Sequence, residues 1–209
     1  MNIAIIGAGN VGSAIATGSS KAGHAVTVTD TDPAKAQTVA QTAGAQSSAD
    51  IASAAAGADV VVLAVPFQAV PDLIPTLGQA VQGKVVIDAT NPLKADYSGL
   101  AVSDHSGAED VQQQLTGARV VKAFNTVLAA NQGVGSVDGT QLDGFYAGDD
   151  ASAKQSVADL LTSLGFRPVD AGPLKAAQAL EHLAFLNISL NAANGWSWQS
   201  GWKLVGPVG

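Results

Sequence analysis

Ile3-Ala4-Ile5-Ile6-Gly7-Ala8-Gly9-Asn10-Val11-Gly12 decides how the rest of the chain is read. Four apolar residues run straight into a Gly-x-Gly-x-x-Gly turn. A helix-forming stretch over 11–22 follows at once and stops at Gly23. The glycine pattern alone is weak, but a strand before it and a helix after it are the context a dinucleotide-binding turn requires. Gly7 permits the tight turn, Gly9 lets the backbone approach a pyrophosphate, and Gly12 lets helix and strand pack closely. The pyrophosphate then meets the free N–H groups and positive end of the helix, with Ala8, Asn10 and Val11 completing the cradle.

Outward from this turn, short β-branched runs alternate with alanine-rich helical stretches. A second strand spans 25–29, a helix starts around Pro33 and ends at Gly44, and another covers 49–56. Residues 60–65, Val-Val-Val-Leu-Ala-Val, are continuously apolar, as a central parallel strand covered on both faces must be. Further strands are expected over 85–88, 120–123, 145–147 and 167–170, with a loop over 92–107 and a helix over 151–164. The fold class is therefore α/β, a Rossmann-type doubly wound, mainly parallel sheet. Residues 1–172 read as the dinucleotide-binding domain and 173–209 as a short helical C-terminal segment. In that segment a long helix, 173–194, carries Leu180, Leu183, Ala184, Phe185, Leu186, Ile188 and Leu190 around most of its circumference. It should be buried or lie in an interface, most simply that of a homodimer. Trp196, Trp198 and Trp202 follow, either to stack on a flat ring or to pack.

Composition excludes several functions. The net charge of −7 argues against nucleic acid or an anionic membrane as partner. With no cysteine and three scattered histidines (His24, His105, His182), no thiolate chemistry and no metal site is expected. No apolar run reaches the length of a membrane span, so a cytoplasmic location is expected.

Asp30 ends the second strand, roughly twenty residues after the turn, where a carboxylate accepts hydrogen bonds from the adenosine ribose. It would repel a 2′-phosphate, which favours NAD over NADP. Thr29, Thr31 and Lys35 offer partners for a phosphate instead, so the local chemistry is mixed. Asp32, just before Pro33, reads as a helix cap.

The turn, Leu63-Ala64-Val65-Pro66-Phe67, 86–92 (Val-Ile-Asp-Ala-Thr-Asn-Pro), 121–126 (Val-Lys-Ala-Phe-Asn-Thr) and Asp170-Ala171-Gly172-Pro173-Leu174 together resemble the coenzyme F(420)-dependent NADP oxidoreductase family. That family is in turn similar to the cytoplasmic domain of the STEAP metalloreductases. The resemblance implies a dimeric Rossmann protein that exchanges hydride between a nicotinamide and a deazaflavin at the C-terminal ends of the strands. In that family a Ser-Arg pair grips the NADP 2′-phosphate where this chain has Asp30-Thr31; Lys35 matches a basic position.

The expected cofactor-binding set also includes Val65, Pro66 and Phe67 after one strand, and Asn91 and Pro92 after another. Phe124, Asn125 and Thr126 follow a third. Lys122 reads as a structural or surface lysine, and no acid, base or nucleophile constellation stands out, so no catalytic side chain is assigned. Hydride transfer between stacked rings tolerates that, because positioning at roughly 3–3.5 Å carries most of the catalysis. The expected activity is NAD(P)-dependent hydride transfer to a flat acceptor, a deazaflavin F(420) or flavin. The alternatives are a small imine or carbonyl reductase related to pyrroline-carboxylate reductases, and a non-catalytic dinucleotide-sensing module.

Overall fold

The computed structural model describes residues 1–206; the last three residues of the expected C-terminal segment, 207–209, lie outside them. The chain runs β1 (Asn2–Ile6), α1 (Asn10–Lys21), β2 (Ala25–Thr29), α2 (Pro33–Ala43), β3 (Gln46–Ser48), α3 (Ile51–Ala56) and β4 (Val60–Leu63). It continues through α4 (Val70–Leu77), β5 (Val85–Asp88), α5 (Gly107–Gln114) and β6 (Arg119–Ala123). A hairpin of β7 (Ser136–Val137) and β8 (Thr140–Gln141) precedes β9 (Asp143–Gly148), α6 (Ala151–Ser163), β10 (Arg167–Asp170) and α7 (Ala177–Asn194).

Eight strands form one sheet in the order β10-β9-β6-β5-β4-β1-β2-β3. All neighbours are parallel except β6 and β9. The order reverses between β1 and β4, and such a switch point opens a crevice at the carboxyl ends of the strands. The glycine turn lies at that crevice.

Strand side chains alternate between two apolar layers, so both faces of the central strands are covered. Ile3, Ile5, Val60 and Val62 face α1, α2 and α6, where Ile15, Ala36, Val157 and Leu160 meet them. Ala4, Ile6, Val61 and Leu63 face the other way, onto Leu73, Leu77, Val111 and Leu180. Each fully buried branched side chain stabilises the fold by about 1.5–3 kcal/mol, which makes this two-sided core the main source of stability. Small residues set the helix spacing. A Cβ at Gly18 of α1 would lie 2.7 Å from the Gly133 Cα, so only glycine lets α1 approach that loop.

Several elements differ from the expectation. β3 is a polar three-residue edge strand with no apolar alternation to reveal it. The β7–β8 hairpin turns on Asp138 and Gly139, both at positive φ, the Asp-Gly signature of a tight hairpin. The helix expected from 49 starts at Ile51, because Asp50 caps it. The helix expected from 173 starts at Ala177, after a 3-10 turn over Leu174–Ala176.

α7 is unusual in what it buries. Glu181, Asn187 and Asn191 face inward with Leu180 and Ala184, whereas Leu186 is 48% exposed. The tail folds back over this polar face. Ser200 Oγ donates to Asn187 Oδ1 and receives Asn191 Nδ2, each at 2.6 Å, and Asn131 Nδ2 donates to the Gln199 carbonyl at 2.8 Å. Buried Asp143 accepts Arg167 Nε and Nη2, both at 2.7 Å, and the Leu204 N–H at 2.6 Å. Among the described residues no helix is long and apolar enough to cross a membrane.

Candidate functional site: the strand-end cleft

The site starts at the glycine turn. Gly7 has φ +110°, and a Cβ there would run into the Ala64 carbonyl; a Cβ on Gly12 would strike the Gly7 carbonyl. Those two glycines are therefore required by the chain's own packing. Gly9 is not: its backbone is extended, and a Cβ would meet nothing within 4 Å. Glycine at this third position leaves open space above the backbone, which is what an approaching pyrophosphate needs.

Helix capping sharpens the picture. α2, α3, α5 and α6 are each capped by a side chain, from Asp32, Asp50, Ser106 and Asp150 respectively. α1, like α4 and α7, has no side-chain cap, and its first turn carries no acidic residue. Its first N–H groups, on Asn10, Val11 and Gly12, are thus left to face the turn with the positive end of the helix. Ala8 N–H donates to Asp30 Oδ2 at 2.7 Å, tying the end of β2 to the turn.

A cleft of about 570 Å³ runs from Gly9, Asn10 and Val11 past Val65, Pro66 and Phe67 to Thr90 and Asn91. The Phe67 ring is wedged over Gly107 at the start of α5, where a Cβ would come within 2.7 Å of it. Asn91 is fixed by a reciprocal pair: its Nδ2 donates to the Asn125 carbonyl, and Asn125 Nδ2 donates to Asn91 Oδ1, each at 3.0 Å. Asn125 Oδ1, Thr126 Oγ1 and Thr90 Oγ1 are buried with no partner among the described residues. Unpaired buried polar atoms are costly. Of the three residues Thr90 lines the cleft, and Asn125 and Thr126 lie behind it.

A second cleft of about 1010 Å³ shares Asn10, Val11 and Tyr97 with the first. Leu128, Ala129, Ala130, Ile188, Ala192 and Trp198 give it mostly apolar walls. Tyr97 and Trp198 are 66% and 47% exposed, and both sit at positive φ, 57° and 58°. Left-handed backbone at non-glycine residues is uncommon and tends to gather at binding sites.

Two sequence expectations need amending, Phe124 and Pro92. Phe124 does not reach the cleft; its ring is fully buried and packs edge-to-face on Phe166, centroids 6.2 Å apart. Pro92 is buried behind the lining, where its carbonyl accepts the Ala101 N–H at 2.6 Å. Thr31 and Lys35 lie exposed beside Asp30, all three outside the two clefts, and the Thr31 hydroxyl points to Asp30 Oδ1 at 3.4 Å. Of the histidines and tryptophans, His182 is exposed and bonded to the Gln178 carbonyl, Trp196 faces solvent, and Trp202 packs on the core.

Lys122 proves to be structural rather than a surface lysine. It is fully buried, with Nζ donating to Asp88 Oδ2 at 2.9 Å and to the Thr90 carbonyl at 2.7 Å. Glu181 Oε1 lies 2.8 Å from the same nitrogen, in ionic contact but outside hydrogen-bond geometry. Burial alone would lower the Lys122 pKa, but the two carboxylates outweigh it and hold it above its ordinary value. Burial pushes the Glu181 carboxyl up, Lys122 and the Gly107 N–H oppose this, and Asp88 adds to it. A charge cluster therefore does exist, directly beneath the Thr90–Asn91 wall. Asp88 and Lys122 stand opposite each other in register on β5 and β6, a pairing of charges in two apolar strands that could have revealed it.

With this geometry in hand, comparison with known proteins places the chain. The family model described as NADP oxidoreductase, coenzyme F(420)-dependent, matches residues 2–92. The F(420)-dependent NADP reductase of Methanothermobacter marburgensis is 34% identical over 146 residues, 65% of this chain and 64% of that protein. The match thus spans somewhat less than two thirds of that relative. A rat STEAP metalloreductase is 26% identical over 179 residues, covering 86% of this chain and 35% of that protein. A solved structure from Arthrobacter sp. fb24, provisionally assigned as an F(420)-dependent NADP reductase, is 31% identical and superposes with a TM-score of 0.87. That superposition covers 99% of this chain and 100% of the other. By this likeness the chain belongs to the coenzyme F(420)-dependent NADP oxidoreductase family.

Proposed function

We propose that the protein is an NAD(P)-dependent oxidoreductase that moves hydride between a dinucleotide in the first cleft and a flat acceptor ring in the second. The observation that carries this reading is continuity: the open backbone at Gly9 leads along one cleft to Asn91, and the second, apolar cleft joins it at Asn10, Val11 and Tyr97. A deazaflavin is the acceptor named for the relatives, and a flavin has the same flat shape.

A dihydronicotinamide supplies the hydride, so the chain's work is to bind, orient and exclude water. Gly7, Ala8, Gly9, Asn10, Val11 and Gly12 hold the pyrophosphate through backbone N–H groups and the end of α1. Val65, Pro66 and Phe67 wall the nicotinamide side. Asn91, with Asn125 and Thr126 behind it, orients the carboxamide, and the buried Lys122–Asp88–Glu181 cluster stiffens that wall. Tyr97 and Trp198 flank the acceptor ring. Holding two rings at roughly 3–3.5 Å replaces any need for a titrating group at the reacting atoms.

In this reading residues 1–172 bind the dinucleotide, and 173–209 supply both a dimer interface and a wall of the acceptor cleft, in the cytoplasm. The apolar side chains of α7 outside the core, with Leu186 exposed and Phe185 and Leu190 half-buried, support an isologous contact between two copies.

The test is to mix the protein with NADH or NADPH and, separately, F(420), FMN or a cyclic imine, following nicotinamide absorbance. The expected result is oxidation of one nicotinamide per F(420) or flavin reduced, and none with the imine. Reduction of the imine alone would favour the small-imine reductase. Tight nucleotide binding with no acceptor reduced would leave a dinucleotide-sensing module.

A further inference from the structure

We infer that this chain discriminates against the 2′-phosphate and takes NAD(H) in preference to NADP(H), with Asp30 as the specificity-determining residue. The inference rests on the dinucleotide reading above and departs from the NADP in the relatives' names.

Three observations at the end of β2 carry it. First, Asp30 is held in place rather than free to swing away. Its Oδ2 accepts the Ala8 N–H at 2.7 Å, and its Oδ1 accepts the Asp32 N–H at 3.0 Å. A carboxylate has about four acceptor sites. With Thr31 Oγ1 a third partner at 3.4 Å, roughly one acceptor site remains for a ribose hydroxyl donor. Because the carboxylate is joined to the second residue of the turn, it stands where an adenosine ribose lies when a pyrophosphate meets that turn.

Second, the backbone and hydroxyl donors that could hold a 2′-phosphate are already used. The N-terminus of α2 is the natural anion site next to β2, but Asp32 Oδ1 accepts the Ala34 N–H at 3.0 Å and the Lys35 N–H at 3.3 Å. The Thr31 hydroxyl is directed to Asp30. Asp32 also adds a second negative charge within two residues of the first.

Third, no arginine is present to compensate. The chain's arginines are Arg119 and Arg167, engaged with Ser152 and Asp143 respectively, far from the turn in the sheet. Lys35, the cation nearest to Asp30 in sequence, favours its ionised form from beyond ion-pair distance, and is a single charge beside two carboxylates. Burial alone would raise the Asp30 carboxyl, but the Ala8 and Asp32 N–H groups, then Lys35 and Thr31, hold it below its ordinary value. At neutral pH a 2′-phosphate would therefore face an ionised carboxylate, and like charges in contact are costly.

The experiment is a fluorescence titration of the wild-type protein with NADH and with NADPH, repeated on Asp30→Asn and Asp30→Ser. Asparagine keeps an oxygen for the Ala8 N–H and removes the charge, so it guards against a variant that disturbs the turn. The expected result is NADH binding at least about tenfold tighter than NADPH in the wild type, with that ratio falling severalfold in both variants. NADPH binding as tightly as NADH, or a ratio unchanged in Asp30→Asn, would overturn the inference while leaving dinucleotide binding intact. Binding of neither nucleotide would overturn the dinucleotide reading itself and this inference with it.

Discussion

The edge built by β1, α1, β4 and β5 and the corner built by α7 and the tail are stabilised by opposite means. Around the glycine turn the strands are apolar on both faces as far as Asp88 at the end of β5, and strands distant in sequence meet there, Ile5 beside Val62. At the C-terminal corner polar groups do the internal bonding: Lys122 with Glu181 and Asp88, Asn187 with Ser200 and Asn191, and Asp143 with Arg167 and the Leu204 N–H. Apolar side chains of α7 are left facing outward. In the proposed function the first region would hold a dinucleotide by backbone shape, which most substitutions leave intact. The second depends on a few buried polar partners, each of which fails badly if its counterpart is removed.

Removing the cation at the centre of the corner should have the largest effect. Lys122→Met leaves Asp88 and Glu181 buried without compensation and should cost about 3–5 kcal/mol of unfolding free energy in urea. Glu181→Gln retains the Lys122–Asp88 pair and should cost far less; equal losses would mean the cluster is not electrostatically organised.

Asp143→Asn should cost about 2 kcal/mol and loosen the tail, seen as a change in tryptophan emission. The same contact is acid-sensitive. Burial alone would raise the Asp143 carboxyl, but Arg167 and the Leu204 N–H outweigh burial and hold it below its ordinary value. A lowered folded pKa stabilises the fold fully above about pH 4 and loses that contribution as pH falls through the lowered value. Tail release should therefore begin only below about pH 4, and an emission change near neutrality would contradict this account.

Smallest in stability, though not in assembly, is Leu186→Lys. The side chain is 48% exposed, so folding should be nearly unaffected. Light scattering should find dimers in the wild type and monomers in the variant, and a monomeric wild type would remove the interface from the account.

The two regions also differ in how much of them could be read from sequence. The parallel sheet, the glycine turn and the uncapped start of α1 follow from local rules: β-branched runs, 3.6-residue spacing and glycine at fixed offsets. Asp30 was legible for the same reason, since its place at the end of β2 is set by chain distance from the turn. Phe124 was misread because the residue after a strand can turn to the core or the crevice, and only the Phe166 contact decides it. The Lys122 cluster joins residues 34 and 59 positions apart in the chain, counting 122−88 and 181−122. Facing charges on two apolar strands mark the Asp88–Lys122 half of it, but no local pattern announces Glu181. Tyr97 and Trp198 likewise meet one cleft from loops a hundred residues apart, 198−97 being 101.

The central claim is that the backbone at Gly9 receives a pyrophosphate, and Gly9→Val tests it most directly. Its Cβ meets nothing in the protein, so urea unfolding should change by less than about 1 kcal/mol. Calorimetric titration with NADH should nevertheless lose at least about a hundredfold in affinity, because the side chain fills the space a pyrophosphate needs. Unchanged affinity in a folded Gly9→Val variant would contradict the account and leave the glycine turn as packing alone.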